Sequence, residues 1–207
     1  MEQTDAKNRI LDAAETLFAE LGFEGTSVRT LAATAGVNVA MISYYFGSKE
    51  KLFEALVENR MDYMRRNLLR LHEDEHLSSR NKVKELVDLY VERIFEKKSF
   101  HQIVHRELSL SQRTGLHEML SELLLRNLEA FRKLIRECQK KGQMRVVEPE
   151  LVMATLVGTI HQVIKSPVLL EKILKTKTDG DINRNNIKTK LKDYLNDLLQ
   201  TYLFNKK

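Results

Sequence analysis

A single cysteine, Cys138, stands in a chain of 207 residues. It has no partner for an internal disulfide and cannot form a Cys-x-x-Cys metal site, so a reducing cytoplasm is the expected compartment. Only two prolines, Pro149 and Pro167, and eight glycines occur. That is too little turn chemistry for a strand-rich fold of this length, and an all-α fold is expected. The longest unbroken apolar or small run, Leu151 to Ile160, falls short of the roughly 18 residues that a membrane span needs. The polar, acidic start Met1-Glu2-Gln3-Thr4-Asp5 does not resemble an export signal. Neither export nor a membrane association is expected.

Apolar residues make up 43% and charged residues 30% of the chain, enough for a buried core under a charged surface. The formal charge of +5 invites a nucleic-acid reading, but its distribution does not supply one. Residues 1 to 60 hold six basic and nine acidic side chains, a balance of −3, while residues 61 to 207 hold 28 against 20, a balance of +8. If the N-terminal part binds DNA, it does so through a few placed contacts and not through a general basic field.

Between Thr4 and Leu21, apolar residues recur at three- and four-residue spacings, the pattern of an amphipathic helix, which Gly22 ends. Thr26 or Ser27 caps a second helix with Val28, Leu31, Ala32 and Ala35 on its apolar side, and Gly36 stops it. Asn38 caps a third, running to about Phe46 with Ile42 and Phe46 inward. Two helices joined only by Ala35-Gly36-Val37 form a helix-turn-helix, although such hairpins also serve as plain packing units.

The segment Leu21-Gly22-Phe23-Glu24-Gly25-Thr26-Ser27-Val28-Arg29-Thr30-Leu31-Ala32, followed by Ala35-Gly36-Val37-Asn38 and by Ile42-Ser43-Tyr44-Tyr45-Phe46-Gly47-Ser48-Lys49-Glu50-Lys51-Leu52, resembles the DNA-binding domain of the TetR family of bacterial transcriptional regulators. The likeness covers about residues 5 to 56. It implies a helix-turn-helix domain over residues 1–47 and a helical ligand-sensing and dimerisation domain over 48–207. It also implies a homodimer on a palindromic operator in double-stranded DNA, released by a small ligand.

In a helix-turn-helix the second helix enters the major groove. The helix from Asn38 to Phe46 carries no charged side chain. Direct readout then falls to the Asn38 amide, the Ser43 hydroxyl and apolar contacts from Val39, Ala40 and Met41, with thymine methyls among the partners for the last three. Arg29 is the candidate for a guanine or a phosphate contact, its alternative being a solvated surface arginine. Thr26 and Lys49, each at a helix start, are placed to meet phosphates, and Tyr44 and Tyr45 to donate their phenolic O–H groups to phosphate oxygens. The resemblance implies the same roles. Ser43 stands where the family often has tyrosine and Tyr45 where it often has histidine. Tyr45 reads equally well as a core residue.

A fourth, long helix begins after Ser48. Further helices are expected over about 79–97, 99–112 and 116–141, and after Pro149 to Lys165. A short apolar piece, Val168 to Leu174, then precedes a polar loop, Lys177 to Asn186, and a last helix from Ile187 to about Phe204. The helix over 151–165 is apolar nearly all round, and Ala154 and Gly158 permit a close helix approach. With the stripe of the last helix it is read as a dimer interface of Leu151, Ala154, Gly158, Leu191, Leu195, Leu198 and Tyr202. An intramolecular core is the alternative. An apolar effector pocket is expected among Met64, Phe95, Phe100, Met119 and Phe131, with His101, His105 or His161 orienting a polar group; ordinary core is the simpler role for each.

His101 and His105, four apart, have the spacing of a helical zinc pair, but Gln102 stands where a zinc protease carries its glutamate base. A helical metalloenzyme centred on them, or an adaptor without DNA, is the competing reading. No Gly-rich phosphate loop, Ser-His-Asp order or motif of paired carboxylates is present in the sequence, so no enzyme and no cofactor are expected.

Overall fold

The computed structural model describes residues 2–110, 114–165 and 181–204. Among the described residues there are nine helices and no strand: α1 (Glu2–Gly25), α2 (Val28–Ala35), α3 (Val39–Phe46), α4 (Lys49–Glu73), α5 (Ser79–Glu96), α6 (Lys98–Ser109), α7 (Thr114–Lys140), α8 (Pro149–Lys165) and α9 (Asp181–Phe204). None of them is long and apolar enough to cross a membrane. The expected all-α class is the observed one. The apolar piece Val168 to Leu174 lies outside the described residues, and the end of the expected polar loop, residues 181–186, is already helical in α9.

The chain forms two compact units. The first comprises residues 1–63 and 98–125, the second 64–97 and 126–207. The first unit is therefore larger than the 47-residue segment that carries the motif. It takes in the start of α4, all of α6 and the start of α7, because the apolar sides of these helices close the N-terminal core.

That core is built on Ile10, Ala14, Phe18, Leu31, Ile42, Leu52, Phe53 and Leu56, with Phe100, Ile103 and Leu120 covering it. Phe18, Phe23 and Phe53 form a triangle of rings with centroids 5.3–5.6 Å apart. Each buried ring contributes about 1.5–3 kcal/mol relative to exposure. In this unit Arg60 of α4 donates from Nε to Glu15 of α1 at 2.6 Å and from Nη2 to Asp12, bolting the two helices together.

Leu68, Leu71, Leu86, Val91, Phe131, Ile135, Leu156, Ile160, Leu195 and Leu203 centre the second unit. Within it α5 packs on α8 and α9, and Glu92 of α5 accepts from Lys188 and Lys192 of α9.

Candidate nucleic-acid interface

Two local devices set the angle between α2 and α3. Gly36 adopts φ 64° and ψ 40°, a left-handed conformation that a Cβ disfavours. There the Gly36 N–H donates to Ala33 O (3.2 Å) and the Val37 N–H to Ala32 O (3.0 Å), a Schellman stop for α2. One residue later Asn38 caps α3, its Oδ1 accepting from the Ala40 N–H at 2.9 Å. At the start of α2 the cap is Ser27, which accepts from the Thr30 N–H at 3.0 Å.

Ile42 is the fully buried residue of α3, and Met41, Tyr45 and Phe46 are half-buried. The outward side presents Val39, Ala40, Ser43 and Tyr44, the last 75% exposed. Arg29 is exposed on α2. These are solvent-facing positions of the two motif helices. Tyr45 is half-buried, packed against the core and against Tyr44 with ring centroids 5.1 Å apart.

Two residues expected to meet phosphates use side-chain donors inside the fold. Thr26 is 1% exposed, and its hydroxyl donates inward to Gly22 O at 2.8 Å, with Leu17 O at 3.2 Å. Both acceptors belong to the end of α1, which is kinked at Gly22. Lys49 donates to Phe23 O (2.9 Å) and Thr26 O (3.2 Å), so its ammonium holds the same bend.

Arg106 of α6, which no local sequence signal singles out, completes the bend. Its guanidinium donates to Phe18 O at 3.2 Å and to Ala19 O. Gly22 has φ 76° and ψ 170°, and a Cβ there would stand 3.1 Å from Arg106 Nη1. A separation of almost 90 residues keeps such a contact invisible to a reading of spacing.

The proposed effector residues divide between the units. Phe100, His101, His105 and Met119 belong to the first, Met64, Phe95, Phe131 and His161 to the second. Phe131 is fully buried core, and Met64 and Phe100 are also core residues, which is the simpler role weighed for them. His105 is exposed with Nδ1 3.4 Å from Ser109 Oγ, while His101 packs on Phe100. Among the described residues no group of three or more His, Cys, Asp or Glu is arranged to hold a metal ion.

The stripe expected to form an interface also divides. Leu191 and Leu195 are buried within the subunit, because α9 turns them onto α5 and the second core, and are withdrawn from the interface. Leu151, Ala154 and Gly158 on α8 and Tyr202 on α9 are exposed, and Leu198 is half-buried. Leu151, Val152, Thr155, Leu198, Leu199 and Tyr202 line a cleft of about 230 Å³ between these helices.

Residues 10–56 match the family of bacterial regulatory proteins called tetR. The chain is similar to the "probable HTH-type transcriptional regulator YttP" of Bacillus subtilis, with 31% identity over 68% of each protein. It is 34% identical to the biofilm operon icaADBC negative transcriptional regulator IcaR of Staphylococcus epidermidis, over 34% of this chain and 38% of that one. The structure resembles that of the transcriptional regulator FadR from Bacillus subtilis in complex with stearoyl-CoA, with a TM-score of 0.69 and 20% identity over 90% of this chain and 96% of that one. With its helix-turn-helix geometry and a YttP likeness that extends well beyond the motif, the chain belongs to the TetR family of bacterial transcriptional regulators.

Proposed function

We propose that this regulator is a cytoplasmic, ligand-responsive repressor that binds a palindromic operator as a homodimer. The observation that carries the reading is the outward side of α3, held at a fixed angle to α2 by the Gly36 stop and the Asn38 cap, with a solvent-facing Tyr44 at its edge. Arg29, Tyr44 and the unpaired N–H groups at the start of α2 engage the DNA, and Ser43 with its apolar neighbours meets the base edges. Repression is supported by the likeness to IcaR, whose name describes a negative regulator.

The exposed residues Leu151, Ala154, Gly158 and Tyr202, with half-buried Leu198, are assigned to self-association, since a solvent-facing apolar helix side gains from being covered. A two-fold dimer then sets the inserted helices about 34 Å apart for adjacent grooves. The effector is a largely apolar molecule of moderate size. The stearoyl-CoA held by the B. subtilis FadR supports an acyl compound.

The decisive experiment is fluorescence anisotropy of the purified protein on duplexes selected from a random pool, at several salt concentrations. Affinity that falls linearly with the logarithm of salt, and release of DNA by an acyl compound that also raises the melting temperature, are the expected results. Absence of duplex binding at low salt overturns the reading.

A further inference from the structure

The outward side of α3 has an unusual chemical poverty. Its sequence, Val-Ala-Met-Ile-Ser-Tyr-Tyr-Phe, offers no charge and no amide. The amide just before it is committed, because Asn38 Oδ1 accepts from the Ala40 N–H at 2.9 Å. Bidentate pairing with adenine requires the oxygen and the nitrogen of one amide to face the base together, and the cap turns that oxygen back onto its own helix. Met41 is half-buried, less open to solvent than Val39 and Ala40. What remains at the first turn is the isopropyl group of Val39, 43% exposed, and the methyl of exposed Ala40. Those two residues lie at the end of a groove-entering helix that comes nearest the base edges.

In the major groove the C5 methyl of thymine is the apolar feature that separates one base pair from another. We infer that this chain selects its operator through thymine methyl groups packed against Val39 and Ala40, with the Ser43 hydroxyl as the hydrogen-bonding complement. The inference rests on the operator-binding reading above and specifies the chemistry that the reading interface recognises. Its energetic basis is burial of a methyl between two side chains already held at the surface by a capped helix, so little is lost in ordering them. No charge on α3 competes for guanine at those positions, which leaves guanine selection to Arg29 on the neighbouring helix.

The test uses the full-length protein and the duplex that it selects most strongly from a random pool. That duplex is resynthesised with deoxyuridine in place of each thymidine in turn, which removes the C5 methyl and leaves every hydrogen-bonding edge unchanged. At one or two thymines per half-site the dissociation constant should rise about fourfold, with no change in the salt slope, since the phosphates are untouched. In Val39→Ser and Ala40→Gly, both changes at exposed positions, the preference for thymidine over deoxyuridine should shrink at those same positions. Salt-dependent binding in which no position responds to methyl removal overturns this inference and leaves the operator reading standing. So does a methyl response that persists undiminished in both variants. Failure to bind any duplex overturns both together.

Discussion

Lys49 Nζ donates to the Phe23 carbonyl at 2.9 Å and lies 4.3 Å from the centre of the Phe23 ring. One side chain at the start of α4 therefore closes the bend at the end of α1 through a hydrogen bond and a cation–π contact. Lys49→Ala is expected to lower the stability of the protein by about 1–3 kcal/mol, read as a shift in urea midpoint. The salt slope of DNA binding should not change. A fall of about one unit would return Lys49 to the phosphate set.

Gly22 occupies a backbone region close to glycine-only territory, and Arg106 approaches it from α6. Gly22→Ala should cost about 1–3 kcal/mol in strain alone. Arg106→Ala leaves the Phe18 and Ala19 carbonyls without their charged donor, and Arg106→Lys should restore only part of the loss because an ammonium lacks the planar fork. Denaturant titrations of the three variants check the order.

For the DNA face, Tyr44→Phe should weaken binding equally on every duplex, because a phosphate contact carries no base information. Arg29→Ala should relax selectivity at one base pair per half-site, at a cost of about 1–3 kcal/mol. Affinities measured across a panel of single-substituted duplexes separate the two patterns.

At the exposed side of α8, Gly158→Leu is expected to produce monomers in sedimentation, by holding the paired helices apart. Leu195→Asp should instead unfold the second unit, since it places a charge where the residue is fully buried inside the subunit. A folded, dimeric Gly158→Leu protein would move the interface elsewhere.

Burial alone would raise the Glu137 carboxyl, but the ammonium groups of Lys141 and Lys82 outweigh it and hold it below its ordinary value of 4.5. Lys188, then Lys192, lower Glu92 likewise. A carboxylate with a depressed folded pKa stabilises the protein above the unfolded value and loses that contribution as pH falls through the folded one. Stability should therefore hold from neutral pH down to about 4.5 and then decline as acid protonates these two groups. Urea midpoints measured against pH should show a shallower acid decline in a Glu92→Gln variant.

The motif helices and the caps and stop between them were legible along the chain, because those depend on neighbours; at Gly22, read as the end of the first helix, α1 kinks and runs on to Gly25. Gly36 after an apolar turn, Asn38 two residues beyond it and Ser48 ahead of α4 each act within five residues. The sequence by itself determined the family for the same reason, since the matching residues are contiguous. Tertiary structure decided which side chains were free to do chemistry. Thr26 and Lys49 looked like side chains turned wholly to phosphate, yet carbonyls around the kink at Gly22 accept from both. Leu195 looked like an interface residue, yet α9 packs it onto its own subunit. Arg106 carried no signal, because its partners lie 87 and 88 residues away. Periodicity shows that a helix has an apolar side, whereas only the packed chain decides what covers that side and which donors remain unspent.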